Sequence, residues 1–368
     1  MSPYNSIEFY NRKLEVVHHD TIDDTEIDDD YLAPENTTIY ISRTDAVSRG
    51  CFVYIYGNIE FFGIVDNVRY DNYMTAVEVK PFISLFEHDI IFDTSLQGEN
   101  GSTSLEEALA KYISEYWIDS YDPFRNISRI QIVLPDASAR TMNWDFGLES
   151  DSEDLSRCIV AFHSEIICRA LKEYGVGVKT HFDLNRRILT LDISTWSKVE
   201  SSRLIDANLE TVTVSTFEVD QMNKDVNCLE IWNDKARDEE ESRLVYCLRK
   251  DGSYSYIQRV NEEDRVLPVK LSVRSVNPEG TNTFAYLAAV EAKREFANAK
   301  WNSLIELKVA CNDYLVDPVG LPIGTMVNID YLGREYQSIL TGKKLSSVVT
   351  LVFGMVRADY TKQLKIRW

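Results

Sequence analysis

Few residues of this 368-residue chain are suited to chemistry, and they are scattered. His163-Ser-Glu165 matches half of the zinc deaminase signature, in which a histidine binds the metal and a glutamate moves protons; the Pro-Cys-x-x-Cys half that would complete it is absent. Cys158, His163 and Cys168 fall at five-residue steps on one expected helix, about 140° apart, so they are read as core and boundary residues that do not converge on a metal. Asp20, Asp23, Asp24, Glu26, Asp28, Asp29 and Asp30 offer carboxylate oxygens of the kind calcium prefers, without the glycine-containing EF-hand spacing, and read as a solvated loop. Asp145, Glu149 and Asp151 beside Trp144 are the best carboxylate cluster for glycoside hydrolysis, and Trp117, Trp144 and Trp196 are the rings that could stack on sugars. Buried tryptophans and a solvated acidic loop are the simpler reading. Gly175-Val-Gly177 follows a helix and lacks a third glycine, which makes it a cap and turn, and no Walker loop, G-x-S-x-G elbow or H-E-x-x-H is present. The expectation is no catalytic, cofactor or metal residue, and no enzyme.

The elements that would position any site follow from composition and pattern. The length allows two to four domains, and 44% hydrophobic with 11% aromatic residues is globular. The longest apolar runs, such as Val348–Phe353, fall well short of the roughly 18–20 residues of a membrane span. Met1–Phe9 has neither a basic start nor an apolar core, so no secretory signal is expected and the chain is expected to fold in a cytoplasm. On that basis the sequons at Asn36 and Asn126 carry no weight, and the six cysteines, scattered without C-x-x-C spacing, read as small core residues in a reducing compartment. A net charge of −20 argues against nucleic-acid binding and favours solubility; an acidic wall would also let DNA slide past without sticking.

Alternating residues make the first 97 positions nearly all β. After the loop-rich Gln97–Thr103, Ser104-x-x-Glu107 is a capping box that starts a helix through about Tyr116; Ile130–Leu134 is a strand, a second helix is expected from about Glu153 to Tyr174, and a hairpin joins Val176–Phe182 to Ile188–Ile193. This middle region, 98–204, reads as α+β. β pattern returns at Thr211–Ser215 and Cys228–Trp232, breaks at the charged stretch 234–242, and resumes as Leu244–Leu248 and Tyr254–Ile257 around a Lys250-Asp-Gly252 turn. A helix from about Thr283 to Ala299 precedes Leu304–Val309.

A β segment recurs. Gly50–Val65 and Gly324–Ile339 are both hairpins in outline, with Val53 and Ile55 corresponding to Val327 and Ile329, one extra residue in the second turn, and Glu60, Phe61 and Ile64 corresponding to Glu335, Tyr336 and Ile339. The register continues to Thr75 and Val77 against Thr350 and Val352. The fold class is therefore α+β, predominantly β, with two related antiparallel β-barrel domains and α+β domains inserted between and within them. The expected division is 1–97 for the first barrel, 98–204 for the α+β domain, 205–234 with 301–357 for the second barrel, 235–300 for an insertion in it, and 358–368 for a tail.

The C-terminal third, through Leu304-Ile-Glu-Leu307, Gly324-x-x-Val-x-Ile329, Gly333-Arg-Glu-Tyr-x-Ser-Ile-Leu-Thr-Gly342, Thr350-Leu-x-Phe-Gly354-x-Val-Arg357 and Thr361-Lys-x-Leu-Lys365, resembles the baseplate hub family of long-tailed phages. The resemblance is most specific over about 300–366. It implies two related barrels per chain and a homotrimer whose six barrels form a pseudo-sixfold ring, adapting the sixfold tail to a threefold tip around an axial DNA channel. Implied partners are the distal tail protein ring, the tape measure protein and tail-tip or receptor-binding proteins, with DNA only in transit; the implied location is the virion tail tip, assembled in the host cytoplasm. Relatives often continue into lysin or receptor-binding regions, whereas this sequence ends at Trp368, so such functions are expected either on other chains or outside this sequence. The alternatives are a carbohydrate-binding or carbohydrate-active tail protein using Trp144 with Asp145 or Glu149, and a peripheral receptor-binding tail protein.

Overall fold

The computed structural model describes residues 5–23, 25–98, 102–148, 150, 156–196, 203–218, 226–235, 242–249, 253–268, 270–278, 283–301 and 304–358. Its first strands are β1 (Asn5–Tyr10), β2 (Val16–Ile22), β3 (Ile27–Asp30), β4 (Thr37–Ser42), β5 (Phe52–Tyr56), β6 (Glu60–Tyr70) and β7 (Met74–Pro81). Six of them form an antiparallel sheet in the order β2-β1-β5-β6-β7-β4. The sheet curls until its edges meet: the Ser42 N–H on β4 donates to Asp20 Oδ2 on β2 at 2.6 Å. β5 is apolar at successive positions because both of its faces are covered. Val53 and Ile55 point into the barrel, and Phe52 and Tyr54 point outward into a second core.

That second core belongs to the middle region, built from β8 (Asp89–Asp93), α1 (Leu105–Ile113), β9 (Ile130–Val133), β10 (Arg157–Ala161), β11 (Val176–Asp183) and β12 (Ile188–Thr195). α1 starts at the expected capping box, with the Glu107 N–H donating to Ser104 Oγ at 3.2 Å and the Ser104 N–H donating to Glu107 Oε2 at 3.0 Å. β11, β12 and β9 form a three-stranded sheet with β9 at its edge. The helix expected from Glu153 is corrected. Residues 151–155 lie outside the described ones, and Arg157–Ala161 is a strand paired with β8, its Cys158 and Val160 buried while Ile159 faces out. That period of two belongs to a strand, and helical residues begin only at Phe162, in π-helical turns. Phe182 of β11 anchors the region on the first barrel: its ring stacks on Phe62 at 4.6 Å and meets the edges of Tyr10 and Tyr54 at 5.2 Å each.

The remaining elements are β13 (Arg203–Asp206), β14 (Val212–Glu218), β15 (Cys228–Asn233), β16 (Arg243–Leu248), β17 (Tyr254–Tyr256), β18 (Leu271–Val276), α2 (Phe284–Trp301), β19 (Leu304–Ala310), β20 (Met326–Tyr331), β21 (Arg334–Leu345) and β22 (Val348–Ala358). A second curled sheet runs β13-β20-β21-β22-β19-β14, and β3 from the first module also pairs with β21. β15, expected with this sheet, hydrogen-bonds β16 and β18 instead, in a separate sheet ordered β17-β16-β15-β18. That sheet and α2 share a small core of Leu229, Ile231, Leu248, Ala288, Ala292 and Phe296. β16 and β17 pair as expected, although the Lys250-Asp-Gly252 turn between them lies outside the described residues, as do 359–368 of the C-terminal tail.

The two curled sheets are copies. The Gly50 N–H donates to the Val65 carbonyl and the Val65 N–H to the Cys51 carbonyl; at the corresponding positions the Gly324 N–H donates to the Leu340 carbonyl and the Leu340 N–H to the Thr325 carbonyl. Both glycines are left-handed, at φ +85° and +84°. A register shift falls between Val65 and Asn67 in β6, and one recurs between Leu340 and Gly342 in β21. Bulges bend and twist a strand, so both sheets curl at the same place.

The two glycines have different surroundings. A side chain at Gly50 would meet nothing nearer than the Arg12 guanidinium at 3.9 Å, whereas one at Gly324 would sit 2.7 Å from the Trp196 indole. Gly50→Ala is expected to lower stability by about 1 kcal/mol through its φ alone, and Gly324→Ala by about 2–4 kcal/mol because overpacking adds to the same strain. Urea unfolding of the two variants checks this, and equal losses would contradict the packing assigned to Trp196.

Candidate functional site

The acidic stretch is not a solvated loop. Asp28, Asp29 and Asp30 lie in β3 and pair antiparallel with Lys344, Lys343 and Gly342 of β21, and Ile27 pairs with Leu345. Ile27 and Leu345 are buried, which contributes about 1.5–3 kcal/mol each and holds a strand made otherwise of residues that disfavour strands. Burial pushes the Asp29 carboxyl up to about 7, opposed by Lys343 and reinforced by Asp28 and Asp30. It pushes the Lys343 ammonium down against the pull of Asp29, and Lys343 Nζ donates to the Val319 carbonyl at 2.9 Å. Asp28 is pushed up to about 6, first by burial and then by Asp30, with Lys344 opposing; its Oδ1 has no hydrogen-bond partner among the described residues. Asp20 is tied to Ser42 across the barrel closure, Asp24 lies outside the described residues, and no group of three or more metal-binding side chains occurs among the described ones.

Tyr31, next after β3, extends the seam. Its N–H donates to the Thr341 carbonyl on β21 at 2.9 Å, its hydroxyl accepts the Val178 N–H of β11 at 3.0 Å, and its ring lies 4.7 Å from that of Trp196. Its carbonyl is 3.0 Å from His163 Nε2, which donates to it. The first barrel, the second barrel and the middle region all meet at this residue, which carried no signal as a lone tyrosine at the end of an acidic run.

His163 and Cys168 do converge, contrary to the helical-spacing expectation. The Cys168 N–H reaches back to the His163 carbonyl in a π-helical turn, and its Sγ lies 3.7 Å from His163 Nε2. In an i to i+5 turn, residues five apart stack on one face. Cys158 is on β10 and takes no part. Burial lowers the His163 pKa and raises the Cys168 thiol to about 12, so both are neutral core groups without a thiolate to react or bind a metal.

The carbohydrate candidates are structural as well. Trp117, Trp144 and Trp196 are each no more than 2% exposed, so none offers a face to a sugar. Trp144 Nε1 donates to the Thr103 carbonyl at 2.9 Å. Asp145 accepts the Gly147 N–H at 2.6 Å and the Tyr286 hydroxyl of α2, while Glu149 and Asp151 lie outside the described residues. Around it, Lys293 of α2 sits 3.3 Å from the centre of the Tyr174 ring, its pKa pushed down to about 8 by burial against the pull of Glu173 and Asp145. These contacts dock the inserted unit on the middle region.

Asp145→Asn is expected to lower unfolding free energy by about 1–3 kcal/mol, since two donors lose a charged acceptor; an unchanged urea midpoint would contradict the docking role. Asp28 gives a pH signature. Its folded pKa lies above the unfolded carboxylate value of about 4, so the native state binds more protons between about pH 4 and 6 and loses stability as pH rises through that window. Asp28→Asn is expected to gain stability relative to wild type at pH 8, with the gap narrowing below about pH 6 and closing only below about pH 4; a gap independent of pH would contradict the burial of this carboxylate.

The sequence matches no protein-family model and no curated protein. The structure is similar to the tail protein from Neisseria meningitidis MC58, with a TM-score of 0.56 and 13% identity over 95% of this chain and 96% of that one. It is also similar to the 43 kDa tail protein of prophage MuSo2 from Shewanella oneidensis, with a TM-score of 0.52 and 12% identity over 95% and 98%. The duplicated curled sheets, the middle α+β region and the inserted unit together make the phage tail-protein fold, over nearly the whole of this chain.

Proposed function

We infer that the chain is a structural hub protein of a phage or phage-derived tail, located at the tail tip or baseplate. Three chains would assemble into a ring whose six β modules face a sixfold tail while the trimer faces a threefold tip, with DNA passing along the axis. The observation that carries this is the internal copy: the same turn glycine, the same bulge and the same hairpin order recur in one chain. Two equivalent modules per subunit let a threefold ring present six similar surfaces, which a single module in a trimer does not. Within this reading the first barrel is 1–97, the α+β region 98–204 and the tail 358–368. The split second barrel is 205–234 with 301–357, except that β15 goes with the insertion at 235–300. The distal tail protein, the tape measure protein and tip or receptor-binding proteins are the proposed neighbours, and the chain does no chemistry. The burial of Trp144 and the structural ties of Asp145 count against the carbohydrate-active alternative.

The test is the mass of the purified 42.3 kDa chain by light scattering on a sizing column across a concentration series. A species near three times that mass, seen as a ring in negative stain, is the expected result. A monomer at every concentration would remove self-assembly from the proposal.

A further inference from the structure

We propose that the surface formed by residues 119–129, Arg12 and the β11–β12 turn is a docking site for an acidic, extended segment of a partner protein, laid along the open edge of β9. This stands apart from the hub reading, because it rests on charge and shape alone.

The chain has 59 acidic and 39 basic side chains, yet five arginines gather on this face. Arg12 Nη1 donates to the Arg125 carbonyl at 2.9 Å, the Ser128 N–H donates to the Arg12 carbonyl at 3.0 Å, and the Leu189 N–H donates to the Arg129 carbonyl at 3.0 Å. Arg186 and Arg187 close the turn between β11 and β12. The carboxylates nearby also accept neutral donors: Asp122 the Phe124 N–H, Asp183 the N–H groups of Asn185 and Arg186, and Glu15 Asn11 Nδ2, while Asp119 is exposed on the same stretch. Among the described residues, Arg186 reaches a carboxylate only at 3.8 Å, on Asp183, and Arg12, Arg125, Arg129 and Arg187 pair with none. The five guanidiniums outnumber the carboxylates of this stretch, Asp119, Asp122 and Asp183, and an incoming anion offsets their mutual repulsion.

An open, shallow depression of about 330 Å³ is lined by Arg129, Ile130, Gln131, Arg186 and Ile188. Two arginines beside two isoleucines suit a carboxylate side chain whose neighbours are apolar. Tyr121 and Phe124 add two aromatic rings at 103% and 91% exposure. Arginine and aromatic residues are the types that carry interface energy between proteins. The aliphatic side chains Ile130 and Ile188 beside the arginines have nothing to offer a phosphodiester backbone. Among the described residues β9 pairs only with β12, so its outer edge can accept a further strand.

Fluorescence anisotropy with the full chain provides the test. The probes are a labelled peptide alternating glutamate and valine, its lysine–valine counterpart, and a labelled oligothymidylate. Binding of the glutamate peptide, weakening with salt, and no binding of the lysine peptide are expected. Arg129→Glu combined with Arg186→Glu is expected to weaken binding roughly tenfold or more, with an unchanged unfolding midpoint because both side chains are exposed. Arg334→Glu, at the start of β21, should leave binding unchanged. No binding of the glutamate peptide, equal binding by the double variant, or tighter binding of oligothymidylate would each overturn the proposal.

Discussion

The pairing of β3 with β21 is the constraint on which the arrangement of the other parts depends. A strand of one isoleucine and three aspartates has little reason to extend by itself, and its carboxylates resist leaving water. The balance is set by Ile27 meeting Leu345, by ladder hydrogen bonds worth about 1 kcal/mol each, and by lysines placed opposite the aspartates. Where Lys343 does not offset the buried charge, proton uptake does, which explains why the Asp29 carboxyl is displaced so far upward. Tyr31 then converts a two-strand contact into a three-way joint, because its backbone and hydroxyl reach β21, β11 and His163.

Around this joint the protein uses its polar residues as fasteners. Asp20 closes the first barrel, Asp145 holds the α2 insertion, and Glu107 caps α1 while also pairing with Arg140. Several residues that looked chemical in isolation therefore join elements together: Asp20, Asp145 and His163 each hydrogen-bond where two segments distant in sequence meet. Buried polar groups in this arrangement fix which surfaces come together more than they add net stability.

Much of the fold was legible because periodicity reports burial. The hairpins at Gly50 and Gly324 could be aligned from alternating residues, and their equivalence extends to the bulges, which no pattern had indicated. The capping box of α1 and the hairpin at Val176 were legible for the same reason, since local hydrogen bonds decide them. Three misreadings have physical causes. Asp28–Asp30 looked solvated because the lysines that complement them lie at the far end of the chain, although the opposed runs Asp28-Asp-Asp30 and Lys343-Lys344 were a usable signal. Arg157–Ala161 was read into a helix because short apolar runs are ambiguous, and the pairing with Asp89–Asp93 that decides the matter is tertiary. The His163–Cys168 contact was missed because ideal α geometry was assumed where the backbone is π-helical.

The sequence distance across the β3 seam also bears on how the chain acquires its structure during synthesis. More than 300 residues separate Asp30 from Gly342, so the first barrel can close on itself long before its charged strand has a partner. During translation that strand is an unmated edge guarded by like charges, which discourage the β21 of a neighbouring nascent chain less than they discourage an apolar edge. The final ladder therefore acts as a completion step: only when the second barrel has emerged are the acidic strand, Tyr31 and the middle region locked in register.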